Sequence, residues 1–418
     1  MTERTRSSVV LVVGLVMAGA CVAQAFGRFT YGVLLPSVRH DLAGSNRAAG
    51  LLGTVNVGAY LAGAIVVSGL ASRVSLVRLI RVGLCLSTGG LLLASFASHI
   101  VVLAIALIAM GFGGAAIWIP SPRVAAAALP PQRRGLAAGL VGMGIGLGIV
   151  FAGQLARVLR RGRGDASWQD VYRVEGLIGV VVVAATFAFL RHRESVTGAR
   201  GGPDPTVPSV GGGFAGFGAL RRIHGWLALT AAYAAFGFMY LLVFAFLVTR
   251  LEDDSGFSPD RATAMFSAVG VAAVFGGLLL GPLSDKIGRR ATMVASFLAF
   301  GASAVLILVG RQPWVLLGSI GIGLAFSGLP AVIAAYVVDA TDATTYGPAY
   351  SAATLSFGIA QMLAPQAGGL IADWRGSFTS VFVLSATISV AGAALSARLP
   401  RSGGRRHASG IIVRSLRS

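Results

Sequence analysis

Apolar residues run in stretches of about twenty, each closed by charged or turn-forming residues, and twelve such stretches follow one another along the chain. Coiled as α-helix, a run of that length crosses the hydrocarbon core of a bilayer, and it is about twice too long for a barrel strand. The runs start near Val9, Ala48, Leu79, Val101, Gly135, Val174, Ile223, Ala262, Ala291, Val315, Gly347 and Phe378. The pattern predicts an all-α polytopic membrane protein with 12 transmembrane helices.

Between the sixth and seventh runs lies the longest polar segment, which carries Gly201-Gly202-Pro203, Pro205, Pro208 and Gly211-Gly212-Gly213. Such a composition cannot bury enough apolar area to offset the entropy of ordering, so it reads as a linker. The expected organisation is a six-helix bundle over 1–190, a flexible cytoplasmic linker over 191–222, a second bundle over 223–398 and a basic cytoplasmic tail over 399–418. The two halves repeat one another. Ala25-Phe26-Gly27 and Tyr31 in the first run have counterparts in Ala235-Phe236-Gly237 and Tyr240 in the seventh. Gly111-Phe112-Gly113 precedes Pro120 by the same distance as Gly321-Ile322-Gly323 precedes Pro330. Duplicated halves imply pseudo-symmetry and one cavity between them.

Composition agrees: of 418 residues 55% are hydrophobic and 12% charged, about half the charged share of a soluble domain. The net charge of +19 does not make a nucleic-acid binder. Nearly all of it is arginine, and its distribution is topological, because cations resist translocation. With both termini inside, cytoplasmic segments hold 21 of the 34 Lys and Arg residues and external segments hold 11. The charge pattern therefore puts both termini in the cytoplasm. One segment dissents: Arg157, Arg160, Arg161, Arg163 and Arg173 fall in the external loop after the fifth run. Cys21 and Cys85 lie inside apolar runs and imply no disulfide framework. Arg4, Arg6 and the run from Val9 to Ala20 imitate a signal peptide, but the run continues to Leu35, so no cleavage is expected.

The stretch Gly281-Pro282-Leu283-Ser284-Asp285-Lys286-Ile287-Gly288-Arg289-Arg290 stands out as a charged ten-residue hairpin between two spans. Gly281 and Gly288 permit sharp bends, Asp285 suits a helix N-terminus, and the cations hold the turn on the cytoplasmic side. It resembles the signature loop of the major facilitator superfamily of secondary transporters, as do the twelve spans and the repeat. Within that family, Gly27-Arg28-Phe29-Thr30-Tyr31 followed by Leu34-Leu35-Pro36 resembles the bacterial YbfB/YjiJ-type branch. The resemblance implies two bundles rocking about a cavity lined by spans 1, 2, 4, 5, 7, 8, 10 and 11. It further implies a multi-pass protein of the bacterial inner membrane that works as a single chain. The loop's counterpart after span two, Ser68 to Ser75, lacks the aspartate, and Leu107 and Ile149 stand where the family's proton-driven drug exporters carry arginine and proline. Drug efflux is therefore the second reading rather than the first.

Arg28 is the leading candidate for substrate contact. An unpaired cation deep in a span costs about 3 kcal/mol or more, so it is expected to face a cavity, where a guanidinium can clamp a carboxylate with two hydrogen bonds. Snorkelling to the headgroups or pairing with a backbone carbonyl is the bland alternative. Arg123 follows Pro120-Ser121-Pro122, which frees carbonyls it could satisfy, so it reads as either a substrate contact or a structural or gate residue. Gln24, Tyr31, Asn56, Tyr60, Tyr240 and Gln361 complete the candidate binding set. Trp118, Gln154, Tyr233, Tyr336 and Gln366 are further polar or aromatic residues on cavity spans. Each has helix–helix hydrogen bonding or packing as its commoner use. Gly281, Asp285, Gly288, Arg289 and Arg290 are the candidate cytoplasmic gate, which would hold the inner helix ends together when the outer face opens. With Val174 taken as the start of span six, Glu175 lies near the outer face, and no mid-membrane carboxylate is expected. No metal spacing, nucleophile elbow or phosphate loop is present, which speaks against an enzyme, a metal site or a cofactor. The expectation is a secondary transporter of a small solute, an organic anion, coupled to a proton or a counter-anion. A non-transporting membrane sensor is a third and weaker reading.

Overall fold

The structure, a computed structural model, describes residues 3–71, 73–129, 136–190, 216–342 and 344–400. Among the described residues, twelve helices are long and apolar enough to cross a membrane. They are α1 Val9–Ala43, α2 Asn46–Leu70, α3 Leu76–Ala94, α4 Ile100–Ala128, α5 Gly139–Arg163 and α6 Asp165–Phe189 in the first half. In the second half they are α7 Trp226–Asp253, α8 Pro259–Ile287, α9 Arg289–Leu308, α10 Trp314–Ala340, α11 Tyr346–Arg375 and α12 Thr379–Ala397. A four-residue helix, Phe217–Leu220, precedes α7. No strand occurs among the described residues. Most of the linker, the tail beyond Pro400 and the expected start of span five at Gly135 lie outside them.

Starts agree with the apolar pattern to within a few residues except at α6, which begins nine residues before Val174. The polar opening Asp165 to Asp170 hid this: Trp168, Val171 and Tyr172 are buried on one helical face although charged neighbours dilute the run. Side chains such as Phe96, Val181 and Leu227 stand on the outside of the bundle, as helices facing lipid require.

The repeated glycines explain the repeated architecture. Gly111 meets the Asn56 carbonyl of α2 and Gly113 the Gly83 carbonyl of α3, while Gly323 meets the Val269 carbonyl of α8 and Gly321 the Ser303 side chain of α9. A Cβ at any of these would collide, so α4 and α10 each wedge between the second and third helices of their own half. Pro120 divides α4, whose first part ends at Trp118 and whose second begins at Ser121, whereas α10 runs unbroken through Pro330.

The halves meet along α1–α7, α2–α11 and α5–α8. All cross-half ion pairs among the described residues sit at the face opposite the termini. Arg39 pairs with Asp253, Arg157 with Asp260 at 2.6 Å, Arg161 with Asp260 at 2.5 Å and Arg160 with Glu252 at 2.6 Å. Asp373 accepts from the backbone N–H groups of Asn46 at 3.0 Å and Arg47 at 2.7 Å. Three arginines of the dissenting cluster are thus the first half's side of an ionic seam, while Arg163 and Arg173 pair with Asp170. Toward the termini, by contrast, Gly139 and Gly142 of α5 and Gly281 of α8 face open space. The two halves are thus pinned together by ion pairs at the face opposite the termini.

The expected hairpin from Gly281 to Arg290 is shorter than its sequence suggests. Helix α8 continues to Ile287, and Gly288, at φ +89°, makes the turn alone before α9 begins at Arg289. Asp285 caps no helix; it lies one turn before Arg289 and pairs with it at 2.5 Å. Continuing the helix satisfies its backbone bonds internally, which a ten-residue turn would have left to solvent.

Candidate functional site

The centre of the interface is built from α1, α2, α7, α10 and α11. In α1, residues Cys21–Phe29 form a π-helical stretch, closed by Thr30 N–H donating to the Ala25 carbonyl. Wide turns of this kind re-aim side chains and recur at functional sites. Here the last turn carries Arg28. Its Nη1 donates to Gln24 Oε1 at 2.9 Å, and its Cζ lies 4.2 Å from the centroid of the Tyr60 ring. Nε and Nη2 are buried without a hydrogen-bond partner. Neither bland alternative describes Arg28: the guanidinium stays in the interior and binds a side-chain amide and an aromatic face.

Facing it, the second half contributes a wall of stacked rings. Tyr233, Phe236, Tyr240 and Phe244 follow one another at helical spacing on α7. Phe357 of α11 stacks on Tyr233 at 4.6 Å, and Phe326 of α10 tilts against Phe244 at 4.5 Å and Tyr240 at 5.1 Å. Phe29 of α1 reaches across to Phe244 at 5.0 Å. The Tyr240 hydroxyl accepts from Gln361. A small cavity of about 20 Å³, room for a water molecule, is bordered by Arg28, Tyr31, Asn56, Phe244 and Pro365.

Of the candidate binding residues, the structure gathers Arg28, Gln24 and Tyr60 on one wall and Tyr240 and Gln361 on the other. Tyr31 and Asn56 border the cavity, but their donors are engaged with backbone. Tyr31 donates to the Ala49 carbonyl at 2.7 Å, and Asn56 to those of Gly27 at 3.1 Å and Leu107 at 2.8 Å. Arg123 stands apart, past the break in α4 toward the termini. Near the break, Ser121 Oγ donates to the Ile117 carbonyl at 2.6 Å, and Arg123 Nε is buried without a partner. Tyr336 points to the Pro400 carbonyl near the terminal face. The gate residues Asp285 and Arg289 bind within the second half, Arg289 reaching Asp339 at 3.2 Å.

Sequence reasoning missed two features. The phenylalanines of the aromatic wall read as ordinary apolar span residues, although the recurrence at 233, 236, 240 and 244 was visible. Glu175 is the second, because the sequence pattern puts it near the outer face. With α6 beginning at Asp165, it lies ten residues or about 15 Å into the helix, fully buried. A buried carboxyl group therefore lies well inside the sixth span.

Twelve helices in two similar halves around a central polar and aromatic site define a membrane transporter of the major facilitator fold, not an enzyme. The chain belongs to the family described as the uncharacterised MFS-type transporter YbfB, whose model matches residues 20–397. It is 28% identical over 182 residues to a 3-(3-hydroxy-phenyl)propionate transporter of Escherichia coli, covering 41% of each chain. It is 26% identical over 99 residues to myo-inositol transporter 2 of Cryptococcus neoformans, covering 23% of this chain and 18% of the other. The matched segments span less than half the length of these curated relatives. Among solved structures, a D-xylose-proton symporter superposes with TM-score 0.72 at 15% identity, covering 95% of this chain and 99% of the other. A bacterial homologue of the lysosomal transporter Spinster, inward-facing and unoccupied, gives 0.70 at 16% identity over 95% of both chains. The family match makes the protein a multi-pass membrane transporter of the major facilitator superfamily.

Proposed function

We propose that this transporter moves a small organic anion, an aromatic carboxylate best, by alternating access of the central site. One observation carries the reading: a buried guanidinium with two unpartnered nitrogens stands against stacked aromatic rings. Nε and Nη2 of Arg28 present a fork of donors, which a carboxylate fits with two charge-assisted hydrogen bonds. A ring attached to that carboxylate would lie along Tyr240, Phe326 and Phe357. The hydroxyphenylpropionate named for the Escherichia coli relative has both parts.

In this reading both termini are cytoplasmic and the bilayer is the bacterial inner membrane. The ionic seam is then the closed outer gate, and a single chain suffices. The loop from Gly281 to Arg290 becomes the inner gate once the outer face opens, with Asp285 and Arg289 released from their present partners. The aromatic wall also suits export of uncharged hydrophobic compounds, so charge dependence decides between the two.

The test is counterflow in proteoliposomes with 3-phenylpropionate, benzoate, succinate and myo-inositol. Saturable exchange of the aromatic acids is expected. In Arg28→Ala the KM for 3-phenylpropionate should rise roughly 10- to 100-fold, matching the loss of charged hydrogen bonds of about 1.5–3 kcal/mol. Undiminished anion exchange in that variant, or transport of uncharged aromatics alone, would overturn the proposal.

A further inference from the structure

Glu175 is the buried titratable group that the anion site does not use. Its Oε1 is 2.7 Å from Thr30 Oγ1, and its Oε2 is buried with no partner. Thr30 Oγ1 has a second neighbour, the Ala25 carbonyl at 3.4 Å, the same carbonyl that closes the wide turn of α1.

The groups around it are short of charge. From α1 comes Cys21, while Tyr31, committed to the Ala49 carbonyl, lies by Tyr172. From α6 itself comes Tyr172, whose hydroxyl is buried without a partner. From α3, Thr88 and Leu92 pack on the neighbouring turns of α6 at Gly179 and Gly176, and neither titrates. On α5 the cations are Arg157, Arg160, Arg161 and Arg163, bound to Asp260, to Asp165 and Glu252, or to Asp170. No ion pair to Glu175 occurs among the described residues. A carboxylate ion there would be a buried charge without a counter-ion, the costliest arrangement a membrane interior offers.

The neutral acid fits the same geometry without that cost. Its hydroxyl donates from Oε1 to Thr30 Oγ1, and the Thr30 hydroxyl turns to the Ala25 carbonyl. Removing the proton reverses the chain: Thr30 must donate to Glu175 and leave Ala25. Thr30 has one proton to give, so the state of Glu175 decides which of the two acceptors receives it.

We infer that Glu175 is a proton-binding site, occupied in this conformation, and that Thr30 transmits its occupancy to the turn that carries Arg28. The coupling ion is then a proton. For the cargo the inference rests on the anion reading: one proton on Glu175 and one carboxylate on Arg28 cross together as a neutral pair. The residues that hold anion and proton are on different helices, yet two positions of α1, Arg28 and Thr30, touch both.

Two measurements test it. Infrared pH-difference spectra of the full-length protein in liposomes, with no substrate, should show the carbonyl band of a protonated carboxylic acid near neutral pH. Glu175→Gln should remove it, and a band that survives in E175Q would overturn the proton site. In proteoliposomes, an inward proton gradient of one pH unit should speed the initial accumulation of 3-phenylpropionate several-fold over that in protein-free liposomes, whose passive flux of the neutral acid is subtracted throughout. Glu175→Gln should abolish that accumulation and leave counterflow that no longer responds to pH, and Thr30→Val should weaken the response. Gradient-driven accumulation by E175Q, or wild-type counterflow indifferent to pH, would overturn the coupling while leaving the anion reading intact. Absence of any wild-type counterflow would count against the anion reading, and the infrared band alone would then decide the proton site.

Discussion

Arg28 and Thr30 are two residues apart on one turn of α1, and their environments differ in kind. Arg28 keeps partners that a substrate can share, a glutamine amide and an aromatic face. The Thr30 hydroxyl is shared between two buried groups of its own half, the Ala25 carbonyl and Glu175. A contrasting carboxyl group, Asp342, sits in the loop between α10 and α11. Bonds from the Thr344 hydroxyl, then from Thr345 and the Thr344 backbone, push it down to about 2. The folded value lies below the unfolded one of about 3.9, so the turn's stabilisation is complete above that pH and is lost only as pH falls toward 2. Asp342→Asn is therefore expected to leave the pH profile of counterflow between about 5 and 8 in place. A moved midpoint would assign the titration to this turn instead of the bundle.

Among the elements, α5 shows most clearly what a one-dimensional reading lacks. Its arginines look misplaced as loop cations because their acids, Glu252 and Asp260, lie about a hundred residues away on α7 and α8. They hold the two halves together at one face. The pair of Arg39 with Asp253 is the simplest to test, since Asp253 has no other ionic partner among the described residues. Half-exposed pairs contribute roughly 0.2–1 kcal/mol, so Arg39→Asp should shift the balance away from the closed face by about 1.5- to 5-fold. Adding Asp253→Arg should restore it. Reactivity of a cysteine at Gly53, beside the small cavity, toward an impermeant maleimide added from that face reads the shift. Equal reactivity in the single and double variants would show that the pair holds nothing.

The whole molecule works only if the seam opens and closes. Gly153 of α5 abuts Ser267 of α8 within the closed region. Cysteines at both positions, in a background without Cys21 and Cys85, should cross-link on mild oxidation. Transport should then be lost and should return on reduction. A cross-linked protein that still transports would rule out movement between α5 and α8.

The spans, the duplicated halves and the candidate Arg28 were legible in the chain because they follow from local rules. A bilayer fixes helix length, duplication copies glycine spacing, and a cation in an apolar run must find a polar partner. Tyr240 and Gln361 were legible as polar exceptions, whereas the phenylalanines beside them carried no such mark. What the tertiary structure decided is which residues meet. That Arg160 finds Glu252, that Thr30 lies on Glu175, and that Phe326 closes the wall around Tyr240 depend on how helices distant in sequence are rotated and crossed. Burial energy along one helix is nearly indifferent to which neighbour supplies the contact. The pairing is selected only when all twelve helices pack at once.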